Sequence, residues 1–420
     1  MANKLHAAQT SDSPYAGGLK ISLTSSLGPL PIKGASVTIS LTGDPDSVVE
    51  TLTTDESGQT DTVELPAPPV DYSLTPTDQQ PYSEYNISVE ASGFEPVLVS
   101  GTQILADVTA VQPISLIPEE RPGREEDIII PAHTLFGIFP PKIPEAEIKP
   151  VDETGEIVLS RVVIPEFVIV HDGVPSDSTA PNYYVRYTDY IKNVASSEIY
   201  ATWPESTIYA NILAIMSFTL NRVYTEWYRN QGYNFTITSS TAFDQKWVYG
   251  RNIFENISFL VDTIFSNYLS RPGVRQPILT SYCDGRRVSC RGLSQWGSMY
   301  LGEEGYDAID IIHYYYGSDM YINSADAISG VPSSWPGHDL TIGPSGAKVL
   351  QMQEQLNRIA QAYPALPTIT ADGIFGERTR QAVADFQRIF GLPVTGIVDY
   401  PTWFKISDIY VGVSRIAELQ

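Results

Sequence analysis

Residues 18–118 alternate apolar and polar side chains in short runs. LKISLTS, ASVTISLTG, VVETLTTD, YNISVEASG and ISLIP each set their hydrophobic residues on one face of an extended chain. Turn clusters such as GDPDS, DESGQ and ASGF separate the runs. Period-two alternation broken by Gly, Pro, Asp and Ser predicts strands, and this many of them predict an all-β sandwich over residues 1–118. The turn Asp55–Gly58 reads as a hairpin tip.

The alternation stops at residues 119–160. Seven prolines fall between Pro118 and Pro150, among EERPGREED and PEAEIKP. Proline density disfavours both helix and central strand, so the segment is expected to be an extended, exposed, acidic linker open to proteases. The patch IIIPAHTLFGIF inside it is apolar enough to pack on a neighbouring domain.

Residues 161–328 mix the two periods. RVVIPEFVIVHDG and NFTITSS are strand-like. One helix ends near Glu198, and a second starts at about Ser206 after Trp203 and Pro204. NIFENISFLVDTIFSNYL spaces Ile253, Ile257, Leu260, Ile264 and Tyr268 as a helix does. YDAIDIIHYYYG predicts a further helix. The reading is a central mixed α/β (α+β) domain. Residues 341–406 predict a three-helix unit. Asp372-Gly373 is a turn, Val383, Phe386 and Phe390 form one apolar helix face, and Gly391 sits where a glycine ends that helix. No internal repeat is apparent.

A length of 420 residues suits two to four domains of this kind. The net charge of −23 argues against nucleic acid and anionic membranes as partners. The first 120 residues hold 3 Lys or Arg against 16 Asp or Glu, which reads as solubility. No apolar stretch approaches the roughly 20 residues of a membrane span. The polar start MANKLHAAQTSDSPYAGG has no apolar core, so no ordinary signal peptide is expected. Cys283 and Cys290, with SYCDGRRVSC around them, can close a small disulfide loop or remain free.

Glu198 is the candidate for chemistry. It is a lone acid in the segment KNVASSEIYATWP, among small and apolar residues. A carboxyl in such surroundings is expected to hold its proton, which suits it to protonate a glycosidic oxygen. Asp189 is the nearest acid on its N-terminal side and reads as a capping or surface residue. Glu205, just after Pro204, suits a helix N-terminus. Ser294, Gln295 and Trp296 are candidate sugar contacts, Trp296 through its flat face and Gln295 through hydrogen bonds. One or two of Tyr314, Tyr315 and Tyr316 can reach a cleft, and Tyr315 is the one assigned to substrate. His313 reads as structural. Ser281 and Ser294 have no positioned histidine and acid with them, so serine hydrolysis is not expected.

Two blocks of this region resemble the SpoIID/LytB family of bacterial lytic transglycosylases. The first is Ser197-Glu198, Trp203-Pro204 and the alanines Ala210 and Ala214. The second is GLSQWGSMYLGEEGYDAIDIIHYYYG, from Gly292 to Gly317. Ile199 and Tyr200 depart from the family's Met-Pro, and Met216 stands where many members carry Arg. The resemblance implies a SpoIID-like catalytic domain over 161–328 that cleaves the MurNAc–GlcNAc bond without water. Glu198 would act as the single acid and base, giving 1,6-anhydro ends with no cofactor. Some members bind zinc through two Cys and two His. This chain has no His between His171 and His313, so no metal is expected.

Residues 341–406 resemble the peptidoglycan-binding type 1 module, with Leu350, Asp372-Gly373, Phe375-Gly376, Phe386-Gln387 and Thr402-Trp403 in its pattern. The first region resembles carboxypeptidase-regulatory-like or transthyretin-like sandwiches. The order of the four parts resembles the spore cortex-lytic enzymes of clostridia. That resemblance implies a zymogen acting on spore cortex peptidoglycan, outside the inner membrane of the spore. Residues 1 to about 150 would be a pro-region covering the Glu198 cleft. A subtilisin-like Csp protease would be the activating partner, cutting within 119–160. Two other readings stay open: an amidase or other wall hydrolase, and a non-catalytic wall-binding spore protein.

Overall fold

The computed structural model describes residues 13–119, 125–149, 161–325, 327–330, 335–343 and 345–414. The expected cleavage region therefore falls partly outside the described residues, at 120–124 and 150–160.

The first part contains β1 (Ala16–Ser25), β2 (Gly28–Pro31), β3 (Ser36–Leu41), β4 (Asp44–Thr53), β5 (Val63–Pro66), the one-turn helix α1 (Asp71–Leu74), β6 (Ser83–Glu90), β7 (Val97–Ile104) and β8 (Thr109–Leu116). It is the expected sandwich. One sheet centres on β1, with β2 and β5 antiparallel to it and β8 parallel. The other runs β4-β3-β6-β7. Alternation sets the faces: Leu19, Ile21 and Leu23 of β1 and Val37 and Ile39 of β3 are all fully buried. Each such side chain is worth ~1.5–3 kcal/mol relative to exposure.

The linker expectation needs correcting. Residues Glu126–Ile129 form β9, which extends the second sheet parallel to β7. Residues 131–149 then cross the next domain in hydrogen-bonded contact with it, as a strap. The prolines keep this segment extended, but they do not keep it in solvent.

The central domain holds β10 (Val163–Ile164), β11 (Phe167–His171), β12 (Asn182–Arg186), α2 (Tyr187–Glu198), α3 (Glu205–Tyr224), β13 (Ile237–Thr238), β14 (Ile253–Phe254), α4 (Glu255–Ile264), β15 (Asn267–Ser270), β16 (Tyr282–Cys283), β17 (Leu293–Ser294), α5 (Gln295–Glu303), α6 (Ala308–Tyr316), β18 (Tyr321–Ser324) and β19 (Ala327–Ile328). α3 is buried nearly all round and runs through the core, with Thr207, Asn211, Ser217, Thr219, Asn221 and Arg222 buried among its apolar residues. The expected helix over NIFENISFLVDTIFSNYL is shorter than its periodicity suggests. Ile253 and Tyr268 lie in β14 and β15, and of the five only Ile257, Leu260 and Ile264 face the core from α4, with Val261 beside them.

β14 pairs antiparallel with β8, Ile253 opposite Val111 and Phe254 opposite Ala110. The sandwich sheet thus borrows a strand from the central domain. A single cluster of buried side chains extends from Leu19 to Ala325. The two parts are fused rather than separate.

The last part has α7 (Ala347–Ala360), α8 (Glu377–Ile389) and α9 (Tyr400–Ser414) around a second cluster that includes Leu356, Phe386 and Trp403. It docks on both other parts. Tyr363 donates to the Pro29 carbonyl at 2.8 Å and Gln59 to the Ile389 carbonyl at 2.8 Å. Phe265 stacks on Tyr400 at 5.7 Å, and Arg186 pairs with Asp408.

Candidate active site

α2 stops at Glu198 because Ile199 turns extended, with φ −136° and ψ 155°. The chain crosses through Trp203 and restarts as α3 behind Pro204, with Glu205 in the first turn where the helix dipole favours a negative charge. Glu198 is thereby left at a helix end in the interior, 6% exposed.

Its surroundings are more polar than the sequence suggests. The Lys246 N–H donates to Oε1 at 2.8 Å. Gln295 Nε2 donates to Oε2 at 3.2 Å and to the Glu198 backbone carbonyl at 3.0 Å. The carboxylate therefore has a fixed orientation. The loop carrying Lys246 is itself anchored by Asp244, which is fully buried. Asp244 accepts from Arg222 Nε at 2.7 Å, from Tyr228 at 2.6 Å, and from the Thr238 N–H and hydroxyl at 2.9 and 2.7 Å.

Glu198 lines a cavity of about 70 Å³. One wall is the central domain, with Tyr282, Asp284 and Gln295. The other is the strap, with Phe139, Pro141 and Lys142. The Tyr282 hydroxyl is buried without a well-formed hydrogen bond among the described residues, making only a loose approach to Gln245. The Lys142 ammonium lies 4.5 Å from the Phe218 ring centre and 4.4 Å from that of Tyr282, and donates to the Asp244 carbonyl. Burial pushes its amine down to about 8, against the attraction of Glu198 and Asp244. Burial also lowers Lys246. Asp284 is the second carboxylate at this cavity, but its oxygens accept from the N–H groups of Arg286, Arg287 and Val288 at 2.9–3.2 Å.

The strap is tied down beside the cavity. Thr134 bonds the Ser197 carbonyl through N–H and hydroxyl, at 3.2 and 2.7 Å. Arg287 donates to the carbonyls of Phe136 and Gly137, at 2.8 and 2.5 Å. Arg287 sits in the loop that a Cys283–Cys290 disulfide closes, with a Cα separation of 6.0 Å. The cysteines are paired, so they offer no thiolates for zinc.

The structure sorts the other sequence candidates. Gln295 is in the site. Ser294 is the N-cap of α5, its hydroxyl accepting from the Gly297 N–H at 3.0 Å. Tyr315 packs its hydroxyl beside Ser294 and Gly297, where a Cβ on Gly297 would come within 2.1 Å of it. Trp296 is turned inward, with Trp203 and Tyr200 ring centres at 5.2 and 6.1 Å. An open sugar-stacking face on Trp296 does not fit this packing, because its neighbours already cover the ring. Neither Ser294, Trp296 nor Tyr315 lines the Glu198 cavity. Their common effect is to fix α5 and hence Gln295. Asp189 is at the far end of α2, on the order of 13 Å away at 1.5 Å per residue. It lines a separate cavity of about 1050 Å³ between the sandwich, the central domain and the C-terminal helices. His313 bonds the Met320 carbonyl at 2.7 Å and is structural. The Ser281 carbonyl accepts from the Tyr316 hydroxyl at 2.8 Å.

Residues 345–406 match the family model described as a putative peptidoglycan binding domain. The chain therefore carries a C-terminal domain of the peptidoglycan-binding type. No curated protein matches the chain. Among the described residues, no helix is long and apolar enough to cross a membrane.

The wall-binding domain contains a repeat that is not apparent in the sequence. Gln353 Oε1 accepts from the N–H groups of Asp372 and Gly373 at 3.1 and 2.8 Å, while its Nε2 donates to Ile374 and Thr379 at 3.0 and 3.1 Å. Gln387 treats Thr395, Gly396, Ile397 and Thr402 the same way, at 2.9, 2.8, 2.9 and 3.1 Å. Gly373 and Gly396 both have positive φ, +74° and +69°. A signal does exist in the chain: each Gly-Ile is followed by a Thr at the same spacing. Unequal spacing back to each glutamine hides it.

Proposed function

We propose that this chain is a germination-specific spore cortex-lytic enzyme of the SleC type, stored as a zymogen. It cleaves the glycan strand of cortex peptidoglycan by lytic transglycosylation. The observation that carries the reading is the buried Glu198 carboxylate, aimed by the Lys246 N–H and Gln295 into a cavity roofed by the strap. Glu198 in its acid form donates a proton to the bridging oxygen as the C1–O bond breaks. The resulting carboxylate then takes the proton from the muramic 6-hydroxyl, whose oxygen bonds to C1. No water enters, and the acid is regenerated. The scheme needs one carboxylate, unlike the pair of glycoside hydrolases.

A cavity of about 70 Å³ cannot admit a disaccharide, since ligand sites run from roughly 300 Å³ upward. Strap release is thus the activating step. A subtilisin-like Csp protease, cutting between the strap and residue 161, is the partner that starts it. The setting is the spore, outside the inner membrane, and the C-terminal domain holds the enzyme on its substrate. Activity is tested on the folded chain nicked in that segment. Glu198→Gln is expected to abolish sugar release and leave wall binding intact. Equal release from both forms would remove Glu198 from the mechanism, and release from neither would favour a non-catalytic wall-binding protein.

A second reading rests on Asp284, which shares the cavity. With two carboxylates the site would be a hydrolase, and its products would carry reducing ends.

A further inference from the structure

The strap is held as a peptide ligand is held. Ile143 N–H donates to the Ala242 carbonyl at 2.7 Å, and Leu279 N–H donates to the Glu147 carbonyl at 2.9 Å. The Gln276 side-chain amide brackets Lys149, accepting from its N–H and donating to its carbonyl, both at 2.9 Å. Two side chains in this stretch are anionic, and each meets an arginine fork. Glu145 accepts from Nη1 and Nη2 of Arg222 at 2.9 and 2.5 Å. Glu147 accepts from Nε and Nη2 of Arg271 at 3.1 and 2.9 Å. Such bidentate pairs combine strength with fixed geometry.

Both forks are set by the catalytic domain itself. Arg222 Nε is held by Asp244 at 2.7 Å and its Nη2 also donates to the Phe243 carbonyl at 3.1 Å. Arg271 Nη2 donates to the Tyr316 carbonyl at 2.6 Å, and Nη1 pairs with Asp319. Once the strap leaves, two oriented cations face an open groove. Arg222 is then a buried charge that has lost half its partners, which is costly unless another anion takes the place. The groove begins at the Glu198 cavity, since Lys142 lines that cavity. An extended chain advances roughly 3.3 Å per residue, so the two forks lie roughly 10 and 16 Å further along.

We infer that this groove is a binding subsite for an acidic peptide attached to the glycan, the peptide stem of peptidoglycan, with Arg222 and Arg271 as receptors for its carboxylates. Glu145 and Glu147 occupy the receptors in this state. The inference rests on the reading of the Glu198 cavity as the glycan site.

The test uses the full chain, nicked within 150–160 so that the strap can leave and carrying Glu198→Gln so that nothing turns over. The ligands are a disaccharide bearing a tetrapeptide stem and the same disaccharide without it, titrated calorimetrically. Glu145→Gln with Glu147→Gln loosens the strap and is expected to tighten stem-bearing ligand by about tenfold or more, since one lost charge-assisted contact already implies that much. The bare disaccharide should gain much less. Adding Arg271→Gln, at a partly exposed residue, should cancel the gain. The wall-binding domain gives the same background throughout. Equal gains for both ligands, a gain that survives Arg271→Gln, or no gain at all would each overturn the subsite. The glycan reading fails separately: stem-dependent binding without any sugar release by the Glu198 form sinks that reading and leaves the subsite standing.

Discussion

Gln295 bonds Glu198 twice, at the backbone carbonyl and at the carboxylate, at 3.0 and 3.2 Å across 97 residues of sequence. The helix that ends in the acid and the helix that begins with the amide are thereby locked end to end.

Gln295→Ala should leave the carboxylate with only the Lys246 N–H. A lost buried contact of this kind is worth ~1–3 kcal/mol, so activity should fall by about ten- to a hundredfold. The fold should survive, because Ser294 still caps α5. Sugar-release rate and Tm, measured together, check this; a large Tm loss would mean that Gln295 serves folding instead.

Asp284→Asn separates one carboxylate from two. Its oxygens cap the disulfide loop through three N–H groups. The variant should lose about 1 kcal/mol of stability and retain most activity. A drop of three orders of magnitude at unchanged Tm would favour the hydrolase reading.

The disulfide should control the strap. It closes the loop from which Arg287 holds the Phe136 and Gly137 carbonyls. Reduction is expected to speed hydrogen exchange across residues 131–149 while the sandwich strands stay protected. Unchanged strap exchange on reduction would detach the loop from the latch.

Lys142 gives the strap a pH dependence. Its amine is pushed down to about 8 when the strap is closed, from an ordinary 10.5. Between these values the closed form binds fewer protons than the open form, so closure strengthens as pH rises from about 8 toward 10.5. Below about 8 the cost of burying the ammonium is present in full. Strap protection against hydrogen exchange, corrected for intrinsic rates, should rise through this window, and Lys142→Met should flatten the rise. A fall over the same window would contradict the assignment.

The fused core should keep the two fragments together after cleavage. β8 pairs with β14, Trp203 Nε1 donates to the Ser73 carbonyl at 2.8 Å, and Arg251 joins Gln103 to Ser196. A cut within 150–160 should therefore leave the N-terminal fragment bound, co-eluting on gel filtration until mild denaturant or substrate displaces it. Immediate separation would show that the shared core contributes little.

Much of this was legible in the sequence. The end of α2 at Glu198 and the wall-binding helices follow from periodicity and punctuation, which are local, while the Gln295 block was visible only through a family resemblance. The sandwich follows from alternation at Leu19, Ile21, Val37 and Ile39. The strap was not legible, because proline density and acidic charge read as solvated chain. Its partners Arg222, Arg271 and Arg287 are far away in sequence. Ile253 was misassigned for a related reason: its strand exists only through a pairing with Val111 in another part of the chain. Trp296 kept an ambiguity that periodicity cannot resolve, since a core ring and a sugar platform have the same residue type.

The most direct measurement is mass spectrometry of the fragments that the chain, nicked in 150–160, releases from cortex peptidoglycan. The account predicts 1,6-anhydro-muramyl ends, absent with Glu198→Gln. Reducing ends, or anhydro ends that persist in Glu198→Gln, would contradict it.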